Sequence, residues 1–285
     1  MTDRSRLALL LAPALAILAG LFLTGLGLTF LRSLHYAPAL GETAPNLSAY
    51  SAILTSPGFL KSLALSLWIA TASTLLAAAL ALSAALLLRQ SFPGRALIAF
   101  LVQLNLTIPH IVGAVGLLYL ISQSGALARL AFAAGLISGP QDFPALTHDP
   151  YALGIILLYV WKETPFITLI LLANLQTLGE DHEATARTLG ATRWQAFRHV
   201  LLPMLMPALA AASALVFAFA FGAYEVPLVL GAHAPKALPI LAWQAWTDTD
   251  LATRPEAMAM AVIIALIGLA TLLLYARLLG VRDAR

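Results

Sequence analysis

The stretch TLGEDHEATARTLGATRWQAFRHVLLPMLMP, residues 177–207, is a long polar segment between two strongly apolar ones. Its acidic residues stand in or near the first turn of a helix predicted over about 181–189, where the helix dipole favours negative charge. Glu183 and Arg187 are spaced to form an ion pair one turn apart. Gly190 then supplies the left-handed residue that commonly ends a helix.

A second helix is predicted directly after this glycine. Thr192 followed by Gln195 forms a capping-box pattern, which marks a helix start. One apolar stripe follows on that helix, made of Trp194, Phe197 and Leu201. Pro203 and Pro207 are expected to end the helix and to lead into the next apolar segment. Loop 177–207 is therefore predicted to be a small helix-turn-helix with one aromatic face.

The rest of the chain is too apolar for a water-soluble protein. Of its 285 residues, 61% are hydrophobic and only 10% are charged, and the mean hydropathy is +0.89. Soluble domains carry about 25% charged residues. This composition excludes a soluble enzyme and a disordered protein, and the absence of cysteine excludes a disulfide scaffold.

The apolar residues fall into stretches long enough to cross a bilayer, which takes roughly 20 residues of helix. Six are predicted, at about 7–31, 62–88, 96–122, 151–176, 208–232 and 256–279. A shorter apolar run, 125–137, contains Arg129 and is predicted to be an interfacial or re-entrant helix. The fold class is therefore an all-α polytopic membrane protein with six spans, forming a single domain over residues 1–285.

Basic residues predict the orientation of these spans. If both termini lie inside the cell, the inner segments hold about twice as many Lys and Arg residues as the outer ones, as the positive-inside rule requires. Loop 177–207 then lies in the cytoplasm. This bias also accounts for the net charge of +3 without a nucleic-acid partner.

Sequence motifs for chemistry are absent. No phosphate-binding G-x-x-x-x-G-K-[ST] stretch occurs, so the chain is not expected to bind nucleotide itself. His182-Glu183 begins like a zinc motif, but position 186 is Ala and the second ligand is missing. We therefore expect no catalytic residue, no cofactor and no metal site in this chain.

Loop 177–207 resembles the signature of inner-membrane permease subunits of binding-protein-dependent ABC importers, the type I fold. The family pattern is E-A-A, three residues, G, nine residues, then I-x-L-P. Gly190 is followed by nine residues and then by Val200-Leu201-Leu202-Pro203. The E-A-A positions hold Ala184, Thr185 and Ala186, so the family glutamate is displaced by one residue, to Glu183. Residues 161–175 also look like the family's fourth span.

The resemblance implies that the loop docks on a cytoplasmic ATPase and couples it to the spans. The implied coupling residues are Glu183, Ala184, Ala186, Gly190, Ala191, Trp194, Phe197 and Pro203. The implied partners are two copies of the ATPase, which bind ATP and Mg, a second permease subunit, identical or related, and a periplasmic or extracellular solute-binding protein. The implied location is the bacterial inner membrane, surrounded by lipid, where the chain forms half of a substrate path.

Polar residues inside the spans are candidates for that path because charges at membrane depth are costly unless paired or wetted. The candidate path or gate residues are Asn105, His110, Glu163, Tyr224 and Glu225. The helix is expected to open locally at Glu163-Thr164-Pro165 and to break within residues 222–225. An alternative role is to hold helices together, for example through a pair between Lys162 and Glu225.

The sequence is also compatible with a second function. An ion- or proton-coupled secondary transporter working without an ATPase would use Glu163 and Glu225 as its coupling carboxylates. Such carriers commonly contain inverted repeats with paired broken helices, and we find no such repeat in the sequence. An integral membrane enzyme is a third class, but the sequence offers it no nucleophile or metal set.

Overall fold

The computed structural model describes residues 3–38, 41, 43–178 and 181–278. Within these ranges the chain is helical and contains no β-strand, which confirms the predicted all-α class. Residues 179 and 180 of loop 177–207, residue 279 of the sixth predicted span and the C-terminal segment after it lie outside the described residues.

Six helical stretches of the described chain are long and apolar enough to cross a membrane, which confirms the predicted number of spans. They are Leu9–Ser33, Pro57–Leu88, His110–Ala133, Leu153–Leu178, Arg193–Gly222 and Leu251–Arg277. Four of them match the predicted spans to within a few residues. The third and the fifth differ from their predicted bounds.

One compact unit of the chain comprises the described residues up to 60 together with residues 238–266. Its helices are α1 (Asp3–Ser33), α2 (Ser48–Thr55), α12 (Leu238–Thr247) and the first part of α13 (Arg254–Leu278). The Ser33 hydroxyl lies 2.7 Å from the Tyr50 hydroxyl, and the Arg254 guanidinium lies 4.9 Å from the Trp246 ring centroid.

The other unit comprises residues 61–237 and the described residues from 267 onward. Its helices are most of α3 (Pro57–Leu88), then α4 (Arg95–Leu104), α5 (His110–Ile121), α6 (Ala126–Ala133), α7 (Leu153–Leu178), α8 (Asp181–Thr188), α9 (Arg193–Ala196), α10 (Leu202–Gly222), α11 (Glu225–Leu230) and the end of α13. Helices α7 and α10 pack together. Ala77, Ala81 and Ala85 form a stripe on α3, and their small side chains let the helix lie close to its neighbours in the buried core.

The third span differs from the predicted 96–122. Helix α4 ends at Leu104, a short 3₁₀ turn covers Asn105–Thr107, and α5 begins only at His110. Ile108 is extended because it precedes Pro109, whose ring disfavours helix in the residue before it. The candidate span starts at His110 and includes α6, so the run predicted to be interfacial or re-entrant counts toward the span.

The fifth span also differs from the predicted 208–232. The loop helix does not end at Pro203 or Pro207, because α9 continues through a π-turn, Phe197–Leu201, into α10. The Leu202 amide donates to the Phe197 carbonyl, one residue further back than in an α-helix. Pro203 therefore falls in the first turn of α10, where a missing N–H is tolerated. The predicted break within residues 222–225 is confirmed, since α10 ends at Gly222 and α11 begins at Glu225.

Candidate functional site

The turn between the two short helices of loop 177–207 forms as its sequence predicts. Helix α8 is followed by Gly190 with φ of +92°, in the left-handed region. The capping box then starts α9, because the Thr192 amide donates to Gln195 Oε1 at 2.8 Å and the Gln195 amide donates to Thr192 Oγ1 at 3.3 Å. The two short helices are thus fixed by local interactions.

We expect Gly190→Ala to lower the free energy of unfolding by about 1–2 kcal/mol, since a left-handed conformation costs a Cβ-bearing residue about that much. A Cβ at Gly190 would meet nothing within 4 Å, so the effect is conformational and not steric. Gly190→Asn should cost less, because Asn tolerates this conformation better. Gly116→Ala, in a helix with equally open space, is the matched control. Thermal unfolding in detergent measures all three, and equal stability of the two Gly190 variants would contradict the explanation.

The apolar side chains of the loop divide into an exposed tip and a buried base. Leu189 is 84% exposed and Trp194 is 63% exposed, although the surrounding loop is polar. Phe197 is half-buried and packs against the core, and Leu201 is buried within it. The Trp194 and Phe197 ring centroids lie 5.4 Å apart. The predicted stripe therefore runs from an exposed indole into the helical core. Leu189, on the other side of the turn, is a second exposed apolar side chain that the sequence analysis did not single out.

Glu183 forms an ion pair with a residue outside loop 177–207. Its Oε2 lies 2.8 Å from Arg89 Nη1, just after the end of α3. The predicted pair with Arg187 is therefore wrong: the carboxylate joins the loop to a span instead of stabilising its own short helix. The other implied coupling residues show no comparable contact; Ala184 and Pro203 are exposed, while Ala186 and Ala191 are half-buried.

This ion pair predicts a specific coupling energy. Because both side chains are partly exposed, we expect a double-mutant cycle of Arg89→Gln with Glu183→Gln to give about 0.5–1 kcal/mol. The same cycle with Arg187→Gln should give less than half of that. Thermal unfolding of the six proteins measures both cycles, and a larger coupling for Arg187 would favour the pairing within α8.

The predicted third span is interrupted between α4 and α5. A polar cluster of Asn105, His110, Lys162 and Glu163 joins this break to α7. Pro109 has no N–H, so the Asn105 carbonyl lacks its α-helical donor. The Lys162 ammonium donates to this carbonyl at 2.6 Å and to the Ile108 carbonyl at 2.6 Å. Lys162 is only 3% exposed. A buried lysine thus supplies the hydrogen bonds that the break in the span has lost.

The reverse contact involves a proline of α7. Pro165 has no N–H and leaves the Trp161 carbonyl without its helical donor, and Asn105 Nδ2 donates to that carbonyl at 2.5 Å. The carbonyl freed by Pro165 therefore has a partner. The predicted local opening is wrong, because α7 runs without interruption from Leu153 to Leu178. Gly113 supports this packing, since a Cβ there would lie 3.2 Å from the side chains of Leu158 and Trp161.

The remaining pair of the cluster is His110 with Glu163. His110 Nε2 lies 2.9 Å from Glu163 Oε1. The His110 ring also lies 4.8 Å from the Phe219 ring of α10, centroid to centroid. Tyr159, fully buried, is 6.5 Å from His110 on the same measure. Its hydroxyl has no hydrogen-bond partner among the described residues. Tyr159 is missing from the predicted set, although its position four residues before Glu163 puts both on one face of α7.

Tyr224 and Glu225 stand at the break between α10 and α11. Glu225 is exposed and begins α11, and Tyr224 is half-buried. Helix α11 packs against α5 and α7. The structure therefore brings Asn105, His110 and Glu163 together and places the other two candidates on an adjoining helix. The proposed pair of Lys162 with Glu225 is replaced by the contacts of Lys162 with backbone carbonyls.

Comparisons with known proteins agree with this architecture. Residues 77–282 match the family described as "Binding-protein-dependent transport system inner membrane component". The chain is 31% identical over 205 residues to the probable ABC transporter permease protein y4oQ of Sinorhizobium fredii, covering 69% of this chain and 65% of that relative. It is 30% identical over 207 residues to the molybdenum transport system permease protein ModB of Mycobacterium tuberculosis, covering 70% and 74%.

A further relative is the trehalose transport system permease protein SugA of Mycobacterium tuberculosis, 30% identical over 217 residues, with 74% of this chain and 68% of the relative covered. Among solved structures, the fold resembles that of a bacterial ABC transporter involved in the import of the acidic polysaccharide alginate. The TM-score is 0.78 at 18% identity, with 99% of this chain and 97% of that chain covered. The chain therefore belongs to the family of binding-protein-dependent transport system inner membrane components and is a permease subunit of an ABC importer.

Proposed function

We propose that this chain forms half of a substrate path and receives mechanical work from a separate cytoplasmic ATPase through loop 177–207. The observation that carries the proposal is the continuous helical stretch from Arg193 to Gly222. It begins in the loop next to the exposed Trp194 and extends as a span of the membrane domain. Displacement of the loop is transmitted along a rigid element of this kind, because the helix continues from α9 through the π-turn into α10.

This proposed function requires several partner proteins. One six-span unit supplies half of a path, so a second permease subunit, identical or related, completes it. Two ATPase copies bind ATP and Mg and dock on the two loops, and an external solute-binding protein delivers the substrate. One solved neighbour is a bacterial alginate ABC transporter in complex with an alginate pentasaccharide-bound periplasmic protein, which supports a binding-protein partner. We place both termini and loop 177–207 in the cytoplasm of a bacterium.

The polar cluster is proposed to shape the path by fixing the break in the third span against α7. The buried contacts of Lys162 and Asn105 support this structural role, while His110, which contacts the buried Glu163, is the member that remains partly accessible. Two of the relatives are named for molybdenum transport and for trehalose transport, and both are 30% identical to this chain. Because identity does not favour one of these substrates, we take the ligand of the solute-binding protein to define the substrate of this transporter.

Reconstitution into proteoliposomes tests the proposal. The chain is assembled with an ATPase, a solute-binding protein and any second permease subunit encoded by neighbouring genes, and uptake of the ligand of that binding protein is measured with and without ATP. We expect uptake only when all of these proteins and ATP are present. Uptake by the chain alone, driven by a proton or sodium gradient, would overturn the proposal in favour of a secondary transporter.

A further inference from the structure

A cavity of about 770 Å³ lies beside loop 177–207, where several spans end. It is bounded by the end of α3, the start of α4, the end of α7 and helix α8. Its lining includes Arg89, Arg95, Leu172, Leu175, Glu183 and Arg187. Arg89 directly follows α3, and the others belong to α4, α7 and α8.

The described lining residues carry an excess of positive charge. Three arginines and one carboxylate line the cavity, and Glu183 is already paired with Arg89. Arg95 Nε donates to the Leu88 carbonyl at 2.6 Å, which fixes the side chain at the cavity wall. Arg95 and Arg187 therefore leave two guanidinium charges without a carboxylate among the described lining residues. Guanidinium groups bind phosphate oxygens through paired hydrogen bonds.

The lining that α7 contributes includes two leucines. Leu172 and Leu175 belong to the last turns of α7, which ends at Leu178, and α3 ends nearby at Leu88. The cavity is therefore at the level of one membrane surface, with charged groups toward the loop and leucines toward the span. A ligand that fits both walls has an anionic phosphate group and a hydrocarbon chain. Basic pockets between helices at the cytoplasmic surface bind phospholipid head groups in this manner.

We propose that this cavity binds the phosphate head group of an anionic phospholipid, with Arg95 and Arg187 contacting the phosphate and an acyl chain along Leu172 and Leu175. Arg95 is the first residue of α4 and Arg187 belongs to α8. The bound lipid joins the start of α4 to the loop, next to the Arg89–Glu183 pair. It thereby adds a second link between loop and spans, one that depends on the composition of the membrane.

Native mass spectrometry of the full-length chain tests this proposal. Phosphatidylglycerol and phosphatidylcholine with the same acyl chains are offered in equal amounts, and retained lipid is counted. We expect wild type to retain phosphatidylglycerol, and each charge removed to weaken retention by about fivefold. Arg187→Gln alone is informative because Arg187 is exposed on a surface helix and its loss should leave the fold intact. The double variant Arg95→Gln/Arg187→Gln should lose retention almost completely.

The control is Arg193→Gln/Arg198→Gln, which removes the same charge from exposed positions of the same loop outside the cavity. Its retention of phosphatidylglycerol should stay within about twofold of wild type. Equal retention of the two lipids, or equal loss in the control, would overturn the proposal. Displacement of the lipid by millimolar inorganic phosphate would also overturn it, since the cavity would then take the free anion.

Discussion

Replacing Lys162 by Met is expected to lower the free energy of unfolding by about 2–4 kcal/mol. The change removes the donor of two buried hydrogen bonds, to the carbonyls of Asn105 and Ile108. The Asn105 carbonyl keeps the Ile108 amide as a donor, whereas the Ile108 carbonyl loses the ammonium, and a buried polar group left without a partner costs about 1–3 kcal/mol. Part of this loss is offset because no charge is then buried. Since the same bonds fix the break in the third span against α7, ATP-driven uptake should fall with stability.

Two further variants separate this explanation from a general intolerance of the substitution. Lys61→Met is the matched control, since Lys61 is exposed near the start of α3, and its unfolding should be unchanged. Asn105→Ala removes the donor to the Trp161 carbonyl and should cost about 1–2 kcal/mol. Thermal unfolding in detergent, monitored by tryptophan fluorescence, gives the order of the three. Wild-type stability of Lys162→Met would contradict the role assigned to the ammonium.

How far the sequence predicts this structure depends on the range of the interactions involved. Gly190, Thr192 and Gln195 act within one or two helical turns, and their predicted roles are confirmed. The number of spans is also confirmed, because length and apolar content alone determine it. Glu183 shows the opposite case. Local spacing does not indicate its pairing with Arg89, because the two residues are distant in sequence and only the packing of α8 beside the end of α3 brings them together.

Prolines explain the other differences. From sequence, a proline inside a span indicates a break, yet α7 continues through Pro165 while the third span breaks at Pro109. The two sites differ in their non-local partners: Asn105 satisfies the carbonyl freed by Pro165, and Lys162 satisfies the one freed by Pro109. Each proline is thus compensated by a side chain of the other segment. That reciprocity requires the helices to be packed, so neither segment predicts it alone.

The second large effect is expected at the tip of loop 177–207, where Trp194→Ala should weaken binding of the ATPase. An exposed aromatic side chain that becomes buried in a partner is a typical binding hot spot, and its truncation costs about 2 kcal/mol or more. This corresponds to at least about a 30-fold increase in Kd. Because Trp194 is 63% exposed, the variant should unfold at nearly the same temperature as wild type.

Phe197 has a different expected role from Trp194, in folding and not only in docking on the ATPase. It is half-buried and packs against the core below the loop, so Phe197→Ala should lower stability by about 1–3 kcal/mol. A double variant would therefore mix two effects, and the single Trp194 variant is the decisive one. Trp243→Ala, which removes a half-exposed indole of α12, is the control and should bind the ATPase normally. Binding is measured in detergent by interferometry, and hydrolysis and uptake are measured in proteoliposomes. If Trp194→Ala bound the ATPase with unchanged Kd, the loop would not be the docking element, and the path by which work enters the spans would have to begin elsewhere.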